Sequence, residues 1–449
     1  MLAALSRLAH TFTTLSQRFI PSAFSIALIL TFVTFGLAMA IVGAGPGEAV
    51  IAWGNGFWTL IPFAMQMSLV VLTGFLVSTA PVVDRLFARL ARVPSSPRGM
   101  VVLMAVVSMV LAWVHWGLSL VGCAMFVRHA VRAQPKADYR LLVCAAYFGM
   151  GATWHAGLSG SATLLVATPG HFLEPEIGII PVTATIFHPF NLALSALVLV
   201  LMAALAWAMH PPADDAVTIA PAELDRLERF EPPARPAERT VAVALDHARW
   251  LNLAIGACGA GWLVWYFATN GLVLTLDVLN FAFLMLAILL HGSPASVLAA
   301  ADQGARLLAG VVLQFPFYAG MYGVIQGTGL ARALGEWIAS VATPASYPLL
   351  LYWYSGLVNY FVPSGGSKWA IEAPFLVEAA RLIGVSLDQV VVAYAWGDMA
   401  TNIIQPFWAL PLLAAARLDF RDIMGYATLV FLIYVSVVSV AFWLLPGLW

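Results

Sequence analysis

Val362-Pro363-Ser364-Gly365-Gly366-Ser367-Lys368-Trp369 lies inside an apolar stretch, residues 345–380, and interrupts it with a proline, two adjacent glycines, two hydroxyls and a charge. One helix crossing lipid needs about 20 predominantly apolar residues. A stretch broken in this way reads instead as two short helices joined by a tight turn, a re-entrant hairpin. The glycine pair permits the turn and lets backbone approach a ligand closely. A helix starting after it would point amide N–H groups at an anion. Lys368, one of two lysines in the chain, sets a compact positive charge beside the turn. The plainer alternative is a lysine that snorkels to the membrane interface.

Residues 98–127 read as a second hairpin, with His115, Trp116, Gly117, Ser119 and Gly122 as its polar or small members. Residues 140–167 and 388–416 read as helices interrupted midway, at Gly157–Ser161 and around Gln405–Pro406. The first break offers Ser159, Gly160, Ser161 and Thr168 as hydroxyls or free backbone for a carboxylate or a sodium ion. His155 beside it reads more simply as a satisfied core histidine. The second break carries Asp398, deep in an apolar segment, where a charge costs about 2.5–3.5 kcal/mol. Coupling to a proton or sodium is its natural role, and a salt bridge with Lys368 is the structural alternative. Thr401, Asn402 and Asn359 are neutral oxygen donors for the same ion. Gln405 precedes Pro406, whose missing N–H frees a carbonyl for a ligand.

The setting of these segments is lipid. Of 449 residues, 62% are hydrophobic and 10% charged, with mean hydropathy +0.90; soluble domains carry about 25% charged residues. A net charge of −1 gives no footprint for nucleic acid. Cys123, Cys144 and Cys258 form no metal spacing or disulfide framework. Regular apolar spans occur at 22–44, 57–79, 188–209, 251–268, 272–290, 306–326 and 423–445. Leu5, Leu8, Phe12, Leu15 and Phe19 alternate with Arg7, His10, Gln17 and Arg18, so residues 1–21 read as an amphipathic surface helix. Residues 210–249, rich in Pro, Asp, Glu and Arg, read as a cytoplasmic linker between membrane repeats at 22–209 and 250–449.

Those halves match internally. Gln66 pairs with Gln314 at an offset of 248, Tyr147 with Tyr394 at 247, and His115-Trp116 with Asn359-Tyr360 at 244. Charge then sets topology. With both hairpins re-entrant, nine spans remain, the N-terminus is cytoplasmic, and 18 of 21 basic residues fall inside; Arg332, Lys368 and Arg381 are left over. Five spans between the hairpins invert the second half against the first. The expected fold is therefore an all-α polytopic membrane protein, with about nine spans, two re-entrant hairpins and broken helices in two inverted repeats. Secondary transporters are built in this way. Irregular backbone at that depth must line protein or a watery cavity. There is no Walker A loop, HExxH or GxSxG. Transport would run on an ion gradient or passively. A membrane enzyme ranks last, because His155 and Ser159 lack a third group.

Trp53-Gly-Asn-Gly-Phe-Trp58, Ala167-Thr-Pro-Gly170, Gln314-Phe-Pro-Phe-Tyr-Ala-Gly320, Val362-Pro-Ser-Gly-Gly366 and Gln405-Pro-Phe-Trp-Ala-Leu-Pro411 together resemble the bacterial short-chain fatty acid transporter family, over nearly the whole chain. The resemblance implies a permease for acetoacetate, butyrate and related acids in the inner membrane. It also implies membership of the ion transporter superfamily, with elevator-like movement and a homodimer. Matched positions are Ser364, Gly365 and Gly366; Ser159, Gly160, Ser161, Thr168 and Pro169; and Asn402, Gln405 and Pro406. The chain departs from the family pattern at Lys368, where a histidine is familiar, at His115 (asparagine) and at Asp398 (glutamate). The expected substrate residues are Ser364, Gly365, Gly366, Ser367, Lys368, Ser159, Gly160, Ser161, Thr168, Gln405, His115 and Ser119. A short acyl tail would rest on Trp369, Phe407 and Trp408. The expected coupling residues are Asp398, Thr401, Asn402 and Asn359, with no sodium ligand set assigned and no organic cofactor. A passive facilitator for weak acids is the rival reading.

Overall fold

Helix starts in this chain are marked by proline and a capping oxygen. Ser96 accepts from Gly99 N–H at 3.1 Å just ahead of Pro97, Asp138 from Leu141 N–H at 2.8 Å, and Ser293 from Ser296 N–H at 3.3 Å before Pro294. Such caps satisfy amide groups that hydrocarbon would leave bare. The computed structural model describes residues 21–224, 227, 230–238, 240–444 and 447–449, and all regular structure among them is helical. The surface helix expected over 1–21 lies outside the described residues, Pro21 excepted.

The first half runs α1 (Ala23–Val42), α2 (Pro46–Gly56), α3 (Ile61–Thr79), α4 (Pro81–Leu90), α5 (Pro97–Val114), α6 (Trp116–Ala133), α7 (Tyr139–Ala152), a tight turn Trp154–Ala156, α8 (Ser161–Leu165) and α9 (Pro189–Met209). After α10 (Arg249–Asn270) come α11 (Leu276–His291), α12 (Pro294–Ala305), α13 (Ala309–Gly327), α14 (Leu330–Val341), α15 (Tyr347–Phe361), α16 (Gly365–Ile383), α17 (Leu387–Ala400), tight turns Thr401–Ile404 and Phe407–Ala409, α18 (Leu410–Ala416) and α19 (Phe420–Leu444). The order from α1 to α9 thus recurs from α11 to α19. Gln66 and Gln314 fall on the equivalent α3 and α13, and Tyr147 and Tyr394 on α7 and α17.

Among the described residues, eight helices are long and apolar enough to cross a membrane, or nine with the second broken helix, which bends by 66°. Membership differs from expectation at two places. The 18-residue α5 qualifies, whereas α11 has 16 residues, about 24 Å of helix against a hydrocarbon core of about 30 Å. The span expected at 306–326 also starts earlier, since α12 and α13 continue as one 34-residue apolar column. Outward faces carry apolar side chains; Phe32, Val264 and Trp443 are 72%, 71% and 69% exposed, a surface only lipid solvates.

Polar groups on the spans tie helices together. Gln66 Nε2 donates to Asp277 Oδ1 at 2.8 Å, and Asn280 Nδ2 donates to Gln66 O at 2.9 Å, joining α3 to α11. Gln314, at the matching position of α13, instead accepts from Tyr318 on its own helix at 3.3 Å. The three basic residues that failed to sort by side are each engaged: Arg332 with Glu336 at 2.9 Å, Arg381 with the Glu176 carbonyl, and Lys368 inside the core. The 210–249 stretch is partly held, as Val217 N–H donates to Asp138 Oδ2 and Val217 O accepts from Tyr139 N–H.

Candidate functional site

His115 closes α5 and opens α6. Its backbone is extended (φ −159°, ψ 105°), and its Nδ1 accepts from Leu118 N–H at 3.2 Å. The second tip is Val362–Ser364. Ser364 is extended (φ −152°, ψ 97°), and no side chain caps α16. The first amides of α16 therefore lack intrahelical partners. Both helix breaks are fastened to these tips. Trp116 N–H donates to Ser159 Oγ at 2.9 Å, and Leu158 N–H to Trp113 O at 2.7 Å. On the other side, Trp408 Nε1 donates to Pro363 O and Tyr394 Oη to Gly365 O, each at 2.7 Å.

The tips and breaks, with α3 and α13, line a cavity of about 30 Å³. Trp116 comes from the first tip, and Ser364, Gly365 and Gly366 from the second. Trp154 and Ser161 come from the first break, Trp408 from the second, and Met67, Val71, Val311 and Phe315 from α3 and α13. The indole N–H groups of Trp116 and Trp154 are buried without a partner. The glycine pair is a packing requirement. A Cβ at Gly365 would stand 2.6 Å from Asp398 Oδ2 and 2.7 Å from His155 Cε1, and one at Gly366 would stand 2.6 Å from Phe63 Cζ.

Behind the second tip lies a charge cluster sealed from solvent. Lys368 Nζ is 2.7 Å from Ser355 Oγ, 3.3 Å from Glu372 Oε2, 3.4 Å from Asp398 Oδ1 and 4.0 Å above the Tyr394 ring. His155 Nδ1 is 2.8 Å from Asp398 Oδ2, while its Nε2 accepts from Ala162 N–H at 3.0 Å. That acceptor role leaves the ring hydrogen on Nδ1, so a neutral His155 donates to Asp398.

A second polar knot stands beside it. Asn359 Nδ2 donates to Asn402 Oδ1 at 2.7 Å and Thr401 Oγ1 at 3.0 Å, Thr401 Oγ1 to Gly356 O at 2.9 Å, and Asn402 Nδ2 to Met150 O at 3.1 Å. Asn359 Oδ1 and Gln405 Oε1 are buried without partners. No group of three or more His, Cys, Asp or Glu side chains able to hold a metal occurs among the described residues.

Of the residues singled out in the sequence, Ser364, Gly365, Gly366 and Ser161 thus line the cavity. Ser159 and Gly160 shape its wall, and Gly160 packs on Thr163 and the His155 carbonyl. Ser367 is buried one turn in, 3.5 Å from Ser364 O. Three lie elsewhere. The His115 ring points to Thr73 (3.5 Å) and Phe283 (4.1 Å); Ser119 donates to Ser108 O at 2.8 Å; and Thr168 donates to Leu164 O while accepting from Leu276 N–H. Of the aromatics, Trp408 lines the cavity, whereas Trp369 is fully buried against Tyr394. Sequence reasoning passed over Glu372, although an acid inside an apolar stretch four residues after a lysine is a readable signal. It also passed over the free indole of Trp154 and over Asn191, which donates to Ala156 O and Ile186 O and accepts from Trp396 Nε1.

Comparison with known proteins agrees in extent with this arrangement. Residues 4–445 match the profile of a family described as Short chain fatty acid transporter. An Escherichia coli (strain K12) protein, provisionally named a short-chain fatty acid transporter, is 37% identical over 426 residues, 94% of this chain and 96% of its own. A Haemophilus influenzae protein with the same provisional name is 36% identical over 429 residues, again 94% and 96%. Among solved structures, the Alcanivorax borkumensis YdaH transporter superposes with a TM-score of 0.65 at 16% identity, over 96% of this chain and 98% of that one. Neisseria gonorrhoeae MtrF, described with a class of antimetabolite efflux pumps, gives 0.54 at 13% identity, over 95% of each. At such identities the two structures bear on the fold alone.

Proposed function

The chain belongs to the short chain fatty acid transporter family, a family of multi-pass membrane transporters rather than enzymes, and from that premise we propose that it carries short-chain carboxylates such as acetoacetate and butyrate across the inner membrane by ion-coupled secondary transport. One observation carries this reading: two helix–helix turns and two helix breaks meet around one cavity, with an uncapped helix start and two unpartnered indole N–H groups at its wall. The substrate carboxylate accepts from the first amides of α16 and from Trp116 and Trp154. Its acyl tail rests on Trp408, Met67 and Phe315. Lys368, one turn inside α16, supplies positive potential from behind.

A cavity of about 30 Å³ has room for one or two water molecules, so a four-carbon acid enters only when the second tip withdraws. The recurrence of α1–α9 as α11–α19, read with the distribution of basic residues, supports an inverted pair of repeats with the N-terminus in the cytoplasm. The hairpins and breaks then move as one body against α1, α3, α10, α11 and α13 in an elevator stroke. Ion coupling draws support from the buried Lys368–Asp398–His155 group, because charges held at that depth cost free energy and mark a functional site by default.

Purified protein in lipid vesicles, given labelled acetoacetate or butyrate under imposed proton or sodium gradients, tests this directly. Accumulation above equilibrium is expected. Equilibration alone would favour a passive facilitator, and no protein-dependent flux of any small acid would overturn transport of this class.

A further inference from the structure

The charge cluster behind the second tip does not balance. Lys368, Glu372 and Asp398 side chains are 1%, 4% and 0% exposed, with the single ammonium 3.3 Å from one carboxylate and 3.4 Å from the other. His155 adds no charge, because its Nε2 accepts an amide hydrogen. Two buried carboxylates on one cation leave an uncompensated negative charge, which a protein interior does not sustain without a bound proton or cation. A sodium ion is disfavoured, since the Lys368 ammonium already occupies the point between the carboxylates where it would sit.

Hydrogen-bond polarity says where the proton resides. Asp398 Oδ2 faces the Nδ1–H of His155, and Oδ1, which makes no hydrogen bond, lies 3.4 Å from the Lys368 ammonium. Both are donors only, so a proton on Asp398 would have no acceptor. Glu372 differs. Oε2 faces Lys368, but Oε1 lies 3.2 Å from the Tyr354 hydroxyl, which can accept as readily as donate. Glu372 and Lys368 also form part of the wall of a second cavity, of about 280 Å³, between α1, α13, α14, α15 and α16; Asp398 does not. The groups facing Glu372 are Lys368 on its own helix, Tyr354 from α15, and, across Lys368, Tyr394 and Asp398 from α17 and His155 from the first break. The side chains of α1, α13 and α14 on that cavity are apolar except for Thr34 and Trp337, which do not titrate.

We propose that Glu372, set between Lys368 and Tyr354 at the wall of this second cavity, is the proton-binding carboxyl of the transport cycle. With the proton on Oε1, Asp398 is the one ionised carboxylate left beside Lys368, whose field is then available to an incoming substrate carboxylate. Loss of that proton through the second cavity restores the Glu372–Lys368 pair and drives the substrate anion out. One proton therefore travels with each carboxylate. The inference rests on the transporter reading above and names its coupling ion.

Infrared titration of the purified full-length protein tests Glu372 without any substrate. The wild type should show a carboxylic-acid C=O band that bleaches as pH rises; Glu372→Gln should lack that band, Glu372→Asp should keep it, and Asp398→Asn, which leaves one carboxylate for one cation, should bleach at lower pH. A band unchanged in Glu372→Gln, or absent from the wild type, overturns the assignment. In vesicles, Glu372→Gln should retain acetoacetate counterflow yet lose accumulation driven by a proton gradient, while Glu372→Asp keeps both. Full proton-driven accumulation by Glu372→Gln, or wild-type accumulation driven by sodium alone, also overturns it. Absence of wild-type counterflow with acetoacetate and butyrate would overturn the transport reading instead, and the infrared band would still decide Glu372.

Discussion

Replacing Lys368 by methionine keeps the length and apolar stem of the side chain and removes the charge. The ammonium it deletes stands 3.4 Å from Asp398 Oδ1, inside a cluster with less than 5% exposure at every member. At an effective dielectric near 20 the Lys368–Asp398 attraction is about 5 kcal/mol. Deleting one partner of such a pair costs about 3–5 kcal/mol, most of it the penalty of the charge left behind. Asp398→Asn alone should cost less, because Glu372 Oε2, 3.3 Å from Lys368, remains to balance the ammonium while the His155 Nδ1–H loses its ionised acceptor. With both charges gone the penalty of a stranded ion disappears. The double variant should therefore be destabilised by about 1–3 kcal/mol less than the two single costs combined. Reversible denaturant unfolding of the four proteins in one lipid–detergent mixture measures this cycle. Additivity to within about 0.5 kcal/mol would mean that the two groups do not interact, and the charge-cluster argument would fail with it.

Gly365→Ala should destabilise by about 1–3 kcal/mol through overpacking on Asp398 and His155 and should abolish uptake, whereas Gly36→Ala, with nothing within 4 Å of the new methyl, should change stability by under about 1 kcal/mol; the same unfolding assay compares them, and equal effects would refute the close-approach account. Trp116→Phe and Trp154→Phe each remove an unpartnered buried donor from the cavity wall. If those donors meet a carboxylate, KM for acetoacetate should rise by roughly tenfold with unfolding midpoints unchanged; unaltered KM in both would move the site. Lys136→Cys and Ser386→Cys lie in exposed loops that follow the equivalent helices α6 and α16. Impermeant thiol labelling of cells carrying each in a background without the native cysteines should modify Ser386→Cys and spare Lys136→Cys; labelling of both from one side would refute inversion.

Hydropathy and residue spacing alone were enough to expect a helical membrane protein whose helices are interrupted near Gly157–Ser161, Val362–Ser364 and Gln405–Pro406. Those features follow from local rules: lipid demands internally satisfied backbone, and Gly-Gly, Pro and buried polar residues show where a helix yields. Gln66 with Gln314 and Tyr147 with Tyr394, at offsets near 248, marked equivalent helices because a duplicated order of elements keeps its register along the chain. The short helix α2, the short amphipathic helices α4 and α14 and the shortfall of α11 were not legible, since their boundaries depend on what they pack against. The candidate site was legible as a set of tips and breaks, but its partnerships were not. His155 and Asp398 are 243 positions apart, and nothing local to either announces a 2.8 Å contact. Whether Lys368 would snorkel or be buried turned on Ser355, Glu372 and Asp398 arriving around it from α15, α16 and α17. Electrostatic interactions act through space, so the charge balance of this cluster exists only once the chain has brought its members together.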